Sequence, residues 1–237
     1  MSYFSGLNMT AGYGGVDIIK NCSLEVKKGE IVVVIGPNGA GKSTAMKAML
    51  GMLNLNEGVV KFNDAEITQM TPQDRVKLRI AFVPQTKNVF TGMTVEENLE
   101  MGAFLRDDNI YQTIDQVYDL FPVLKEKRKQ SARELSGGQR QQVAFGRAMM
   151  TKPTILMLDE PTAGVSPIIM DELFKRIIEV GITGVAIIMV EQNAKQALSI
   201  SDRGYALVNG ENRRDGSGQE LLNDPDVESP FLVVNND

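Results

Sequence analysis

Short, uninterrupted apolar runs alternate with stretches whose apolar residues recur every three or four positions, a pattern that predicts an α/β chain. Ile31-Val-Val-Val-Ile35, Ile80-Ala-Phe-Val83, Thr154-Ile-Leu-Met-Leu158 and Val185–Val190 are unalternated. They read as strands buried on both faces. Lys42–Leu53 carries apolar residues at 45, 46, 49, 50 and 53, and Ile168–Val180 carries them at 169, 170, 173, 174, 177 and 178. Both spacings are helical. Residues 1–30 mix short apolar and polar stretches with Gly12, Gly14, Gly15 and Gly29 between them, which predicts a small antiparallel layer. Gly58–Ile67 reads as a hairpin turning at Asn63-Asp64, returning to the same layer. Tyr205–Val208 with Asn209-Gly210 reads as a closing hairpin.

Helix starts are also visible. Thr71-Pro72 predicts an N-cap followed by proline in the first helical position. Thr94-Val-Glu-Glu97 is a capping box opening a helix to about Leu105. A second helix is expected from Ile110 to Leu120, stopped by Phe121-Pro122. The charged run Lys125–Arg133 reads as a solvated helix end. Residues 86–150 thus form a helical insertion in an α/β core, and the tail from Asp224-Pro225 onward is polar and peripheral.

Composition narrows the chemistry. A chain of 237 residues suits one large domain and needs no covalent staples. Against 30 acidic residues stand 25 basic ones, a net charge of −5 that argues against nucleic acid as partner. The single cysteine, Cys22, excludes an internal disulfide and reads as a small buried apolar residue. With no histidine, imidazole-based triads are excluded. The start Met1-Ser-Tyr-Phe-Ser-Gly lacks the features of a signal peptide. No run approaches the roughly 20 apolar residues of a membrane span. A cytoplasmic chain is expected, held against a membrane only through partners.

The stretch Gly36-Pro37-Asn38-Gly39-Ala40-Gly41-Lys42-Ser43-Thr44 lies between the first buried strand and a helix. It has the G-x-x-x-x-G-K-[ST] form of a phosphate cradle, and the strand-before, helix-after context fits a nucleoside triphosphate site. The glycines bring backbone N–H groups close to an anion, and the helix start adds partial positive charge. Lys42 is placed for the β- and γ-phosphates and the Ser43 hydroxyl for Mg²⁺. Asp159-Glu160 ends another buried strand. In parallel sheets that edge binds ligands. Asp159 is the candidate to help hold Mg²⁺ and Glu160 the candidate to orient or deprotonate an attacking water. Tyr13 is either a packing aromatic or a ring that stacks on adenine.

Leu135-Ser136-Gly137-Gly138-Gln139 lies between these motifs and places Ser136 and two glycine N–H groups at a helix start, a second anion site. The pentapeptide resembles the signature of ABC-type ATPases, and the resemblance covers nearly the whole chain with motif order kept. It implies one ABC ATPase domain over 1–237, of class α/β: a P-loop NTPase, RecA-like parallel-sheet core (1–85 and 151–237), an N-terminal antiparallel β layer, and a helical subdomain (86–150) that carries the signature and docks on a permease. It implies ATP and Mg²⁺ as cofactors. It further implies a head-to-tail dimer in which each γ-phosphate is held by one phosphate loop and by Ser136, Gly137, Gly138 and Gln139 of the opposite molecule. Tyr13 matches the family's adenine-stacking aromatic, and Gln85 matches the glutamine that touches Mg²⁺ and water and links nucleotide state to the permease.

Two departures stand out. The family usually has a histidine where this chain has Gln192, which can bond a γ-phosphate or position Glu160 but carries no charge. Ser166 stands where an aspartate is common. Val190-Glu-Gln-Asn-Ala194, residues 163–168, Thr94–Ala103 and Glu220–Pro225 resemble the LivF-type ATP-binding subunit of branched-chain amino acid importers, with urea and amide importer subunits close by. Gln85 and the tail Ser229–Val234 are less typical of that type. The resemblance implies permease subunits, a sister ATPase or a second copy, and, indirectly, an extracytoplasmic solute-binding protein. A chromosome-maintenance ATPase needs a long coiled coil or zinc module absent here, and a nucleotide switch that barely hydrolyses is the remaining rival.

Overall fold

The computed structural model describes residues 2–225. Strands β1 (Phe4–Tyr13) and β2 (Val16–Val26) pair as a long hairpin around Gly14-Gly15. Strand β3 (Ile31–Ile35), buried at every position, leads into helix α1 (Lys42–Met49). Strands β4 (Glu57–Phe62) and β5 (Ala65–Glu66) turn over Asn63-Asp64, both at positive φ. The antiparallel layer expected at the N-terminus is present, in the order β2-β1-β4-β5. It packs on α1 through a shared core that includes Met9, Ile19, Met46, Met49 and Val60.

Helix α2 (Pro72–Lys77) starts as expected, with the Asp74 N–H donating to Thr71 Oγ1, and is followed by strand β6 (Ile80–Val83). Helix α3 (Val95–Gly102) opens on the full capping box of Thr94 and Glu97. It ends before the expected Leu105, because Arg106 donates to the Met150 carbonyl (2.6 Å) and to Asp108 and turns the chain away. Helix α4 (Tyr111–Leu120) is followed at once by α5 (Pro122–Glu126). Pro122 therefore starts a helix rather than only ending one, since a proline N–H would be unpaired there anyway. The charged run after Lys125 is not simply a solvated helix end. The Arg128 and Gln130 carbonyls accept from Glu96 and Val95 N–H, at 3.0 Å each, and so satisfy open donors at the start of α3.

The remaining elements are α6 (Gly137–Met149), β7 (Ile155–Asp159), α7 (Pro167–Ile182), β8 (Ala186–Val190), α8 (Ala194–Ser199), β9 (Arg203–Val208), β10 (Glu211–Ser217) and α9 (Gly218–Leu222). The short helices α8 and α9 were not expected from periodicity. Helix α9 nonetheless shows a local signal, the Ser217/Glu220 capping box. The main sheet has the order β10-β9-β3-β8-β7-β6, with β9, β3, β8, β7 and β6 parallel. Alternate β3 residues point to opposite faces: Val32 and Val34 join the core under the antiparallel layer, whereas Ile31, Val33 and Ile35 join the other. That second core includes Leu99, Val117 and Phe145 of the helical segment. Cys22 is fully buried as expected. Residues of the tail beyond Pro225, including Ser229–Val234, lie outside the described residues.

Sheet register places the chemistry. Val190 is opposite both Val34 and Asp159, and Val83 is opposite Leu158. The segments that follow β3, β8, β7 and β6 therefore leave the sheet at one level, along its carboxyl edge.

Candidate functional site

The loop after β3 is shaped by close approach. A Cβ on Gly36 would lie 2.4 Å from the Leu207 carbonyl, and Gly41, the N-cap of α1, sits at φ 95° with Ile19 Cγ2 2.9 Å from such an atom. A larger residue at either position strains the loop. Lys42 folds back over it and donates to the Gly36 and Pro37 carbonyls at 2.7 and 3.1 Å. The loop encircles its own ammonium group, so the Lys42 charge sits within the cradle. Burial lowers the Lys42 pKa, and the nearby Glu160, Asp159 and Glu191 act in the opposite sense.

Across the sheet edge, Ser43 Oγ donates to Asp159 Oδ1 at 2.8 Å. Burial raises the Asp159 carboxyl and the adjacent Glu160 adds to the rise, while Ser43 opposes it. Among the described residues no group of three or more His, Cys, Asp and Glu forms a metal cluster. The Ser43 hydroxyl and Asp159 carboxylate are nonetheless hard oxygen donors side by side, a set that fits Mg²⁺ completed by phosphate oxygens and water.

Glu160 follows directly, buried and at φ 49°, a left-handed conformation uncommon for a non-glycine residue. Its N–H donates to the Val190 carbonyl at 2.9 Å. Gln192 Nε2 donates to Glu160 Oε2 at 2.9 Å, and Gln85 Nε2 donates to the same oxygen. Three residues predicted from sequence thus meet at one carboxylate, although they lie 75 and 32 positions from it in the chain. Gln192 bonds Glu160 directly, which is one of the two roles open to it in sequence.

One neighbour was given no role by sequence reasoning. Glu191 is 2% exposed, and its Oε1 accepts from the Thr162 N–H (3.0 Å) and Oγ1 (2.8 Å). Its Oε2 accepts from the Gln192 N–H at 3.2 Å. Burial raises its pKa against these hydrogen bonds. The sequence signal was an acid placed immediately after a fully apolar strand.

The remaining predicted residues lie around this centre. Ser136 caps α6, accepting from the Gln139 N–H at 3.2 Å, while its own N–H donates to Gln139 Oε1 at 3.1 Å. Gly137 and Gly138 form the first turn of that helix. Ser136 bonds only within the first turn of α6, its carbonyl also accepting from the Arg140 N–H at 2.9 Å, and among the described residues none of its hydrogen bonds reaches the loop after β3. Tyr13 is 47% exposed on the lip of a cleft of about 400 Å³ with Gly12, Val16, Met52 and Asn54, and Lys47 Nζ lies 5.9 Å from its ring centre. Its ring is open to a planar partner rather than packed in the core.

With this geometry in view, comparison with known proteins is informative. A family model described as ABC transporter matches residues 19–163. The chain is 43% identical to the high-affinity branched-chain amino acid transport ATP-binding protein BraG of Pseudomonas aeruginosa, covering 93% of this chain and 95% of that one. It is 42% identical to the probable branched-chain amino acid transport ATP-binding protein LivF of Archaeoglobus fulgidus, covering 91% and 92%. A crystal structure of an ATP-binding cassette of an ABC transporter in its ADP conformation superposes with a TM-score of 0.86 at 28% identity, covering 98% of this chain and 99% of that one.

Proposed function

The chain belongs to the ABC transporter family, and from that premise we propose that it is the ATP-hydrolysing subunit of an importer for branched-chain amino acids. The similarity to two ATP-binding proteins named for that transport supports the cargo. The convergence of Lys42, Ser43–Asp159 and the Gln85–Glu160–Gln192 cluster on one sheet edge carries the chemistry.

In this reading the N–H groups of residues 36–44 and Lys42 hold the β- and γ-phosphates, Lys42 exchanging the Gly36 and Pro37 carbonyls for phosphate oxygens. Tyr13 stacks on adenine. Ser43, Asp159 and Gln85 would hold Mg²⁺, which would supply positive charge to offset that of the phosphates. Glu160 accepts a proton from the attacking water, and the two glutamine amides keep its carboxylate aimed. Gln192 supplies a hydrogen bond but no charge where relatives of the wider family carry histidine.

Residues 136–139 complete the pocket of a second ATPase, a sister subunit or another copy, so ATP closes the pair and hydrolysis opens it. The segment 86–150 acts as the helical subdomain on the core formed by 1–85 and 151–237. Its exposed Phe90, Met101, Phe104 and Leu105 offer an apolar face for the permease, which a charged surface helix would not. No helix among the described residues is long and apolar enough to cross a membrane. In this reading, by its likeness to importer ATP-binding proteins, the chain works as a peripheral subunit on the cytoplasmic side, with cargo selected by the permease and an extracytoplasmic binding protein.

The test is ATP turnover of the complex that co-purifies with the chain. Glu160→Gln is expected to lower kcat by about 100-fold or more while ATP still binds. Wild-type turnover no faster than that of Glu160→Gln would instead identify a nucleotide switch.

A further inference from the structure

Glu191 carries a buried carboxylate with no cationic partner among the described ion pairs, yet each of its oxygens is engaged. Such a group is costly to bury unless its hydrogen bonds are good. The two sides of the bonding differ in what they hold. Oε1 binds Thr162 through both its N–H and its hydroxyl, at 3.0 and 2.8 Å. Thr162 lies two residues beyond Glu160, in the turn closed by the Ala163 N–H on the Glu160 carbonyl at 3.1 Å. Oε2 binds the N–H of Gln192, whose side chain in turn donates to Glu160. The backbone of Glu191 is itself fixed, its N–H donating to the Val34 carbonyl at the end of β3, just before the phosphate loop.

We propose that Glu191 is a positioning residue for hydrolysis, whose carboxylate ties the turn bearing Glu160 to the backbone of Gln192 so that base and amide keep one geometry. The left-handed Glu160 makes this tie consequential. That backbone is intrinsically disfavoured and persists only when its surroundings over-determine it. The Thr162 contacts hold it from one side and the Val190 carbonyl from the other. Although the Glu191 charge lies near Lys42, its hydrogen bonds are to Thr162, Gln192 and Val34 and none is to Lys42 or Ser43, so turnover is expected to fall much more than ATP binding.

This inference rests on the proposed ATPase reading, and the experiment distinguishes the two. In the co-purified complex, Glu191→Ala is expected to lower kcat about 10- to 100-fold with the KM for ATP changed less than about twofold. Glu191→Gln retains an oxygen for Thr162 but turns an NH₂ toward the Gln192 N–H, so it is expected to lose less. Thr162→Val is expected to fall between wild type and Glu191→Ala. In single turnovers on a Glu160→Gln background, adding Glu191→Ala is expected to cause no further loss, because the effect passes through Glu160. Unchanged kcat in Glu191→Ala, or losses that multiply on the Glu160→Gln background, would overturn the proposal. Should the alanine variant fail to fold, wild-type kcat in both Glu191→Gln and Thr162→Val would overturn it. Full turnover in Glu160→Gln would sink the underlying reading instead, whereas loss there with normal Glu191→Ala would sink only this inference.

Discussion

Cys22 shows how far one residue can be understood from its type. Its thiol lies fully buried on β2, and burial pushes its pKa up to about 12. At neutral pH it is a protonated thiol packed among apolar neighbours, and the thiolate is the reactive species. An aromatic disulfide reagent is expected to leave the native protein unlabelled and to release one equivalent of thiolate only in denaturant; rapid labelling without denaturant would contradict the burial. The sequence made this legible because a lone cysteine inside an apolar–polar strand pattern has few other uses. Glu160 is the opposite case. Its proposed role was read from its place after an apolar strand, but its positive φ was not, since nothing local predicts a left-handed glutamate. The hydrogen bonds from Ala163 to the Glu160 carbonyl and from Glu160 to Val190 hold that backbone.

At the scale of elements, capping signals read from four-residue windows were reliable because their hydrogen bonds are local. Arg75 was not legible in the same way. On a short helix an arginine reads as a surface residue, yet Arg75 is 1% exposed. Its guanidinium donates to the carbonyls of Ala48 and Met49 at the end of α1 and to those of Ile67, Thr68 and Met70. It therefore supplies donors that the last turn of α1 lacks and ties α1, behind the phosphate loop, to α2. Burial lowers its pKa to about 10, so it remains charged at neutral pH. Replacing it with methionine keeps bulk but leaves several carbonyls unpaired. Arg75→Met is expected to cost about 2–4 kcal/mol, read from the shift in urea midpoint at constant slope. An unchanged midpoint would mean that water replaces the guanidinium without loss.

For the whole molecule, the question is why two motifs that both read as anion sites, the phosphate loop and the turn at Ser136, do not meet within one chain. The capping box at Ser136 engages the Ser136 and Gln139 N–H groups, and the phosphate loop follows a different strand. Within the proposed function, each needs the other molecule. Ser136→Arg removes one cap, worth about 1 kcal/mol, and places bulk and charge on that surface. The isolated chain is then expected to bind ATP with unchanged Kd, while the assembled complex loses about 100-fold or more in turnover. Normal turnover in the variant would remove these residues from any shared pocket. The parallel core was visible as unbroken apolar runs, the antiparallel layer as glycine-punctuated short stretches, and the helices after Thr94 from a capping box and a proline stop. The early end of α3 was not visible, because Arg106 bonds the Met150 carbonyl, 44 positions away, and neither was the cap on α3 formed by the Arg128 and Gln130 carbonyls, more than 30 positions on.

Local physics was enough for the phosphate loop, the Asp159-Glu160 pair, the buried strands and the signature turn. In each, the residue types and spacing that make the structure lie within about ten neighbouring positions. The tertiary structure decided which of these segments would meet. Strand order puts β8 between β3 and β7, and register levels Val190 with Asp159. Only then do Glu191 and Gln192 fall beside Glu160, and only then does Gln85 arrive from β6. Hydrogen bonds across that sheet edge depend on strand order and register, which are set by the packing of two cores rather than by any propensity of the residues that make the bonds.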